Sequence, residues 1–280
     1  MSTNLDGPTW WPPATSEQPS GVVIASANYN TKGLVAQLLW SVYRYLDDSV
    51  QSVLIVDNGS TDGSVELLQA VAAAGLCELI VNRENRHHGP ALSQAISYLA
   101  QTQPSEHEGR PWIWLLDSDC LIARADAATA AIDAAIVANA ALVGESYWNQ
   151  WNDDYRFFGF SLLLDPAQVW RAELGPIPDG GDPIGDFEQA CREHGVAGLS
   201  FPFTQEGYLI HLGRSTLAAV RQRAETANPL YEWAQDHYEP HFQQVSAAQS
   251  RYAELISEFN DQVPMLTADA LIHACRKVHT

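Results

Sequence analysis

The sequence predicts a doubly wound α/β domain with a mostly parallel sheet, and three observations predict it. Runs that are apolar throughout recur at residues 22–25, 53–56, 79–81 and 112–116; segments with helical spacing lie between them; polar, chemically loaded residues follow each run directly. A strand apolar on both faces has no solvent side, so it belongs to a sheet covered by helices on both faces. Regular alternation with helices makes that sheet parallel, and ligands then bind beyond the carboxyl ends of its strands.

The elements follow in order. Residues 1–20, with Trp10-Trp11-Pro12-Pro13, read as an irregular arm. Val22-Val23-Ile24-Ala25 is the first strand, and residues 34–45 carry helical spacing. Val53-Leu54-Ile55-Val56 is the second strand, followed by a turn-rich segment and a helix over 64–74. A third strand at 79–81 leads to a helix over 90–100, and a fourth strand covers 112–116. Beyond Asp119 the alternation loosens. Apolar runs at 141–143 and 157–164 flank an aromatic stretch at 147–155, and a Gly/Pro/Asp loop at 175–185 precedes a helix at 187–194. Short strands at 199–203 and 208–212 close this part, and residues 214–280 read as a helical segment punctuated by Pro229, Pro240 and Pro264.

Bulk properties exclude several classes. The 280 residues include 15 Lys and Arg against 34 Asp and Glu, a formal charge of −19. That charge argues against nucleic-acid binding and against docking on anionic lipid. An anionic substrate would need local help from a metal, a helix N-terminus or placed His and Arg residues. Cys77, Cys120, Cys191 and Cys275 are widely spaced with no Cys-x-x-Cys, so neither a zinc site nor a disulfide framework is indicated. Residues 1–20 hold Asp6 and Glu17 in place of a signal-peptide core. The low-charge stretch 127–144 contains Asp133 and Asn139, so no membrane span is expected. A cytoplasmic location is the expectation.

Chemistry concentrates at the strand ends. The first ends in Ala27-Asn28-Tyr29-Asn30 and the second in Asp57-Asn58-Gly59-Ser60-Thr61-Asp62-Gly63-Ser64. The third ends in Asn82-Arg83-Glu84-Asn85-Arg86-His87-His88-Gly89 and the fourth in Asp117-Ser118-Asp119. Asp62 or Ser60 as a plain helix cap would stabilise by roughly 1 kcal/mol, which leaves Asp57 at the strand tip unexplained. Two carboxylates one residue apart after a buried strand repel each other unless a divalent cation stands between them and a phosphorylated ligand.

These four motifs, in this order, resemble the successive motifs of family-2 glycosyltransferases of the GT-A fold. The resemblance covers about residues 21–213, its first hundred residues being the most specific, with Asp57-Asn58-Gly59-Ser60-Thr61-Asp62 its strongest part. It implies a nucleotide-sugar half at 21–123, an acceptor half at 124–213, and a donor site for a nucleoside-diphosphate sugar. By the resemblance, Asp57 accepts the base N–H, while Asn28, Tyr29 and Asn30 line base and ribose. Asn85 and Gly89 belong to the loop over the nucleotide. Asp117, followed by Ser118, faces the ribose or a metal-bound water, and Asp119 binds Mn2+ or Mg2+ directly. His211, within Tyr208-Leu209-Ile210-His211-Leu212-Gly213, completes the metal site or touches the diphosphate; Arg214, Ser215 and the pair His87-His88 are further phosphate candidates.

Two departures from the family pattern stand out. Ser26-Ala27-Asn28-Tyr29 lacks the usual proline or threonine before the tyrosine. The usual Glu-Asp pair is replaced by Gly181-Asp182-Pro183-Ile184-Gly185-Asp186-Phe187-Glu188. Asp182 is the first choice for the catalytic base and Asp186 the second; either is also a helix N-terminal acid favoured by the dipole.

The expected function is a metal-dependent, non-processive, inverting glycosyl transfer from a UDP- or dTDP-type sugar to a small-molecule, glycan or protein acceptor. The absence of a Gln-x-x-Arg-Trp string speaks against a processive polymer synthase. Trp148 and Trp151 are acceptor-stacking candidates. Two rivals remain open: a nucleotide-sugar-binding or scaffold protein with a decayed base, and a sugar nucleotidylyltransferase. The latter is disfavoured by a first loop, Asn28-Tyr29-Asn30-Thr31-Lys32-Gly33, with one glycine and one lysine. The C-terminal helices are expected to cover the acceptor cleft or to form a homodimer interface.

Overall fold

The computed structural model describes residues 21–46, 49–102, 111–149, 153–171, 174, 176–179, 182–212 and 246–276. The N-terminal arm, Trp151, Arg214 and Ser215 lie outside the described residues.

Strand β1 (Val22–Asn28) runs into helix α1 (Lys32–Tyr45), β2 (Val50–Asp57), α2 (Ser64–Ala73), β3 (Glu78–Val81) and α3 (His88–Thr102). Then follow β4 (Trp112–Leu116), β5 (Cys120–Ile122), α4 (Ala127–Ala138), β6 (Leu142–Asn149) and β7 (Asp154–Leu164). Helices α5 (Pro166–Arg171) and α6 (Pro183–Glu193), strands β8 (Gly198–Ser200) and β9 (Leu209–His211), and helices α7 (Ser246–Gln262) and α8 (Ala268–Arg276) complete the described chain. Seven strands form one sheet in the order β3-β2-β1-β4-β7-β6-β8, and β5 pairs with β9 in a second, two-stranded sheet.

The expected parallel half is present: β1 pairs parallel with β2 and β4, and β2 with β3. Beyond β4 the direction reverses. Strand β7 runs antiparallel to both β4 and β6, and β8 returns parallel to β6.

Why these strands read as continuous apolar runs is visible in the two cores. Val22, Ile24, Val53, Ile55, Trp112 and Trp114 face one side, packed with α1, α2 and α4. Val23, Ala25, Leu54, Val56, Ile113 and Leu115 face the other, packed with α3 and α6. Successive strand residues point to opposite faces, so a sheet covered twice needs apolar residues at every position. Each such buried side chain is worth about 1.5–3 kcal/mol.

Several details depart from the sequence reading. Helix α6 begins at Pro183, not at 187, because proline suits the first helical turn and Asp182 caps it: the Asp182 side chain accepts from the Gly185 N–H at 3.1 Å. Strand β8 stops at Ser200, β7 starts at Asp154, and the short elements β5 and α5 were not expected.

Helices α7 and α8 lie against α1 and α2. Leu255, Phe259, Val263, Leu271, Ala274 and Cys275 are buried in the same core as Trp40. Trp40 Nε1 donates to Gln262 Oε1 at 3.1 Å, Arg44 pairs with Glu258 at 2.7 Å, and Arg276 donates to the Ala74 carbonyl at 2.8 Å. All four cysteines are free and buried. Among the described residues no helix is long and apolar enough to cross a membrane.

Candidate active site

Strands β1 and β2 end level, with Asn28 opposite Asp57. Both side chains are buried. Asn28 Nδ2 donates to Asp57 Oδ2 at 2.7 Å, while the Gly59 and Ser60 N–H groups donate to Asp57 Oδ1 at 3.1 and 2.9 Å. A carboxylate that accepts three N–H groups in a buried setting knots its two loops together. Asn30 has a left-handed backbone (φ 56°) and accepts from the Thr61 N–H at 2.8 Å. Asp62 takes the Lys32 N–H at 2.9 Å and so satisfies an open amide at the start of α1. Tyr29 and Asn30 are half-buried, whereas Asp57 exposes no surface in this conformation. Contact between Asp57 and a base therefore requires the Asn28–Ser60 knot to open.

The first loop reaches the acidic pair directly. Thr31 Oγ1 donates to Asn28 Oδ1 at 2.7 Å and lies 3.1 Å from Ser118 Oγ. Register places Cys120 opposite His211 across the β5–β9 pair, which brings the histidine to the acidic tip of β4. His211 Nε2 lies 3.4 Å from Asp119 Oδ1 and 3.8 Å from Asp117 Oδ2. The Phe160 ring stacks on the imidazole at 4.4 Å between centroids.

Electrostatics follow from this crowding. Burial, reinforced by Asp119, raises the Asp117 pKa, against the opposing pull of His88 and His211. Burial works to lower the His211 pKa, but Asp119, Asp117 and Glu145 outweigh it and raise it. Cys120 is held protonated by burial and by the two carboxylates, and its thiol donates to the Phe160 carbonyl.

The donor chemistry fits a divalent cation. Asp119, Cys120 and His211 each offer one atom within 4.8 Å of the others. Asp117 Oδ1 is a buried oxygen with no aligned hydrogen bond among the described residues. Carboxylates with one imidazole suit Mn2+ and admit Mg2+. The protonated thiol of Cys120 is the weakest donor of the group.

The segment leading into α6 is mounted on the start of α3. His88 Nε2 lies 3.3 Å from Asp117 Oδ1. At Gly89 an added Cβ would meet the Pro178 carbonyl oxygen at 1.9 Å, so the segment leading into α6 rests directly on this glycine. Ser93 Oγ donates to the Ile177 carbonyl at 3.3 Å and fastens the same segment. Asn85 is exposed and accepts the His87 N–H at 2.8 Å.

Asp182, at the end of that segment, accepts from the Tyr147 hydroxyl at 3.0 Å. Arg156, with only 7% of its side chain exposed, pairs with Asp186 at 2.7 Å and stands 3.8 Å from Asp182. Asp186 is thus engaged by the guanidinium, whereas Asp182 is held by the Tyr147 hydroxyl and the Gly185 N–H with Arg156 further off. An aromatic row connects the two centres. Tyr147 stacks on Phe158, Phe158 tilts against Phe160, and Phe160 stacks on His211. Trp148 is 47% exposed and meets the Tyr155 ring edge-on at 4.9 Å.

Sequence reasoning missed Arg156 and Glu145 as parts of the site and left His88 as one of several phosphate candidates. Glu145 sits where the β6–β7 register shifts, and its oxygens take the Thr204 N–H at 2.6 Å and hydroxyl at 2.7 Å. Nothing in the residues around Glu145 or Arg156 signals a role, because both act through partners far along the chain.

A parallel nucleotide-type half with an acidic pair at the tip of β4, continued by an antiparallel half that returns a histidine to the pair, defines a glycosyltransferase of the GT-A fold. Residues 22–159 match the family described as glycosyl transferase family 2. Among solved structures, the mannosyltransferase PcManGT from Pyrobaculum calidifontis, in complex with GDP-Man and Mn2+, is 19% identical with a TM-score of 0.52. That alignment covers 96% of this chain and 89% of the other. S. aureus TarS is 13% identical with a TM-score of 0.51, covering 92% of this chain and 53% of TarS, so the chain spans about half its length. These likenesses establish the fold. No curated protein matches the chain.

Proposed function

We propose that the protein is a metal-dependent, non-processive, inverting glycosyltransferase. It moves a hexosyl group from a nucleoside-diphosphate sugar of UDP or dTDP type to the hydroxyl of a small-molecule, glycan or protein acceptor. The observation that carries this reading is the convergence of Asp117, Asp119 and His211 at the tip of β4. The GDP-Man and Mn2+ in the P. calidifontis enzyme support it and put a guanosine donor among the alternatives to be tested.

Asp119 and His211 would hold the cation, with Asp117 beside it. A cation bound there would act as a Lewis acid, offsetting the charge that develops on the departing diphosphate. Tyr29 and Asn30 line the base and ribose, and Asp57 accepts the base N–H once its loop opens. Asp182 takes the proton from the acceptor hydroxyl as that oxygen attacks the anomeric carbon. The bond from that carbon to the diphosphate oxygen breaks, and its electron pair leaves with the nucleotide. Tyr147 and Gly185, which donate to opposite oxygens of Asp182, hold that carboxylate in place for the transfer.

The test is thermal stabilisation by UDP, dTDP and GDP, each with Mn2+ and with EDTA, followed by transfer with the sugars of the nucleotide that binds. A ligand at 100 times its Kd stabilises by about 2.7 kcal/mol. One nucleotide is expected to stabilise the protein only with metal, and Asp119→Ala is expected to abolish both that effect and transfer. Undiminished transfer by Asp119→Ala would refute the mechanism. Metal-dependent binding without transfer to any acceptor would favour a binding protein.

A further inference from the structure

We infer that His88 is a positioning residue that sets the Asp117 carboxylate by pairing its imidazole with the buried oxygen. This rests on the metal-site reading above. The Asp117 carboxylate stands between two imidazoles. His88 Nε2 lies 3.3 Å from Oδ1, and His211 Nε2 lies 3.8 Å from Oδ2. Oδ1 is shielded and accepts no aligned hydrogen bond among the described residues, which leaves the His88 imidazole at 3.3 Å to hold it. Only Oδ2 is therefore left to face His211 and the cation.

The segment that delivers His88 is fixed on three sides. The His87 N–H donates to Asn85 Oδ1 at 2.8 Å, and its carbonyl accepts from Asn58 Nδ2 at 3.1 Å. Gly89 is wedged beneath the Pro178 carbonyl. His87 itself holds a left-handed φ of 68°, a conformation that a non-glycine residue keeps only when its surroundings impose it. The imidazole thus comes from a constrained corner at the start of α3.

His88 does not belong to the group of donor atoms that converge within 4.8 Å, which consists of Asp119, Cys120 and His211. It acts through Asp117. A carboxylate that turns freely about its last bond presents either oxygen to a cation. One whose inner oxygen is held against an imidazole presents a single oxygen at a set angle. Loss of such outer partners commonly costs 10–100-fold in metal affinity. The His88 side chain is 36% exposed, so the fold does not depend on burying it.

The experiment is Mn2+ binding to the full protein, read as loss of the free-ion EPR signal in the presence of the stabilising nucleotide. His88→Ala is expected to weaken Mn2+ binding about 10–100-fold while leaving the melting temperature in EDTA unchanged. His88→Gln, whose amide nitrogen can donate to Oδ1, is expected to recover most of that loss. His273→Asn, at an exposed position on α8, serves as the distant histidine control and is expected to bind as the native protein does. Native Mn2+ affinity in His88→Ala overturns the inference, and so does an equal loss in His88→Ala and His88→Gln. No Mn2+ binding by the native protein overturns instead the metal-site reading on which the inference stands.

Discussion

Replacing Gly89 with alanine tests how the segment before α6 is positioned. The new Cβ would lie 1.9 Å from the Pro178 carbonyl oxygen, 2.9 Å from its carbon and 3.1 Å from Pro183 Cβ. Ordinary contact begins near 3.4 Å, so something must retreat by about 1.5 Å. The obstacle is backbone and cannot rotate aside. Helix α3 is packed against β1 and β2 along Ala91, Leu92 and Ala95, so the segment before α6 is what yields. That segment ends at Asp182. A displacement near 1 Å in a reacting group can cost about 100-fold in rate, and overpacking costs about 1–3 kcal/mol of stability. Gly89→Ala is therefore expected to lower kcat, measured with donor and Mn2+ both saturating, about 100-fold. Transfer rates under those conditions check this. Transfer within threefold of native would refute the claim that this contact places Asp182.

Glu145→Ala removes both acceptors of Thr204 and should cost about 1–3 kcal/mol, visible as a lowered Tm. It should also lower the His211 pKa, because Glu145 is one of the charges that raise it; an NMR titration of His211 that does not move would contradict this. In alkali, burial raises the Cys77, Cys191 and Cys275 thiols from 9.0, and the Tyr43 phenol from 10.0, to about 12 in the fold. The folded state holds these protons more tightly than the unfolded chain does. The stabilisation is therefore complete below about pH 9 and declines as pH climbs toward 12. Urea unfolding at pH 8, 10 and 11 should show that decline, and a flat profile would mean the thiols are not held protonated.

The parallel half was legible in the sequence because each of its strands is local, apolar throughout and followed by its own polar motif. Asp57, Asp117 and Asp119 stand at strand tips for that reason. The antiparallel half was harder. Cys120, Leu121 and Ile122 become a strand only by pairing with residues 209–211, and three residues carry no period of their own. Gly185 and Pro183 suggested a loop, yet proline fits the first turn of a helix and Asp182 caps it. Arg156 was unreadable as part of the site because its partners, Asp182 and Asp186, come from a different element. The C-terminal helices were expected over the acceptor cleft or in a dimer interface; their described parts pack on α1 and α2.

That last packing bears on synthesis. Trp40, Val42 and Leu68 share their core with Leu271 and Cys275, from a helix some two hundred residues further along the chain. At roughly 5–20 residues per second a ribosome needs on the order of 10–40 s to span that gap. For that interval the outer face of α1 and α2 is finished but uncovered, an apolar surface open to chaperones and to neighbouring nascent chains. Emergence of α8 is the event that closes it, so the time spent translating the intervening residues sets how long that face stays bare.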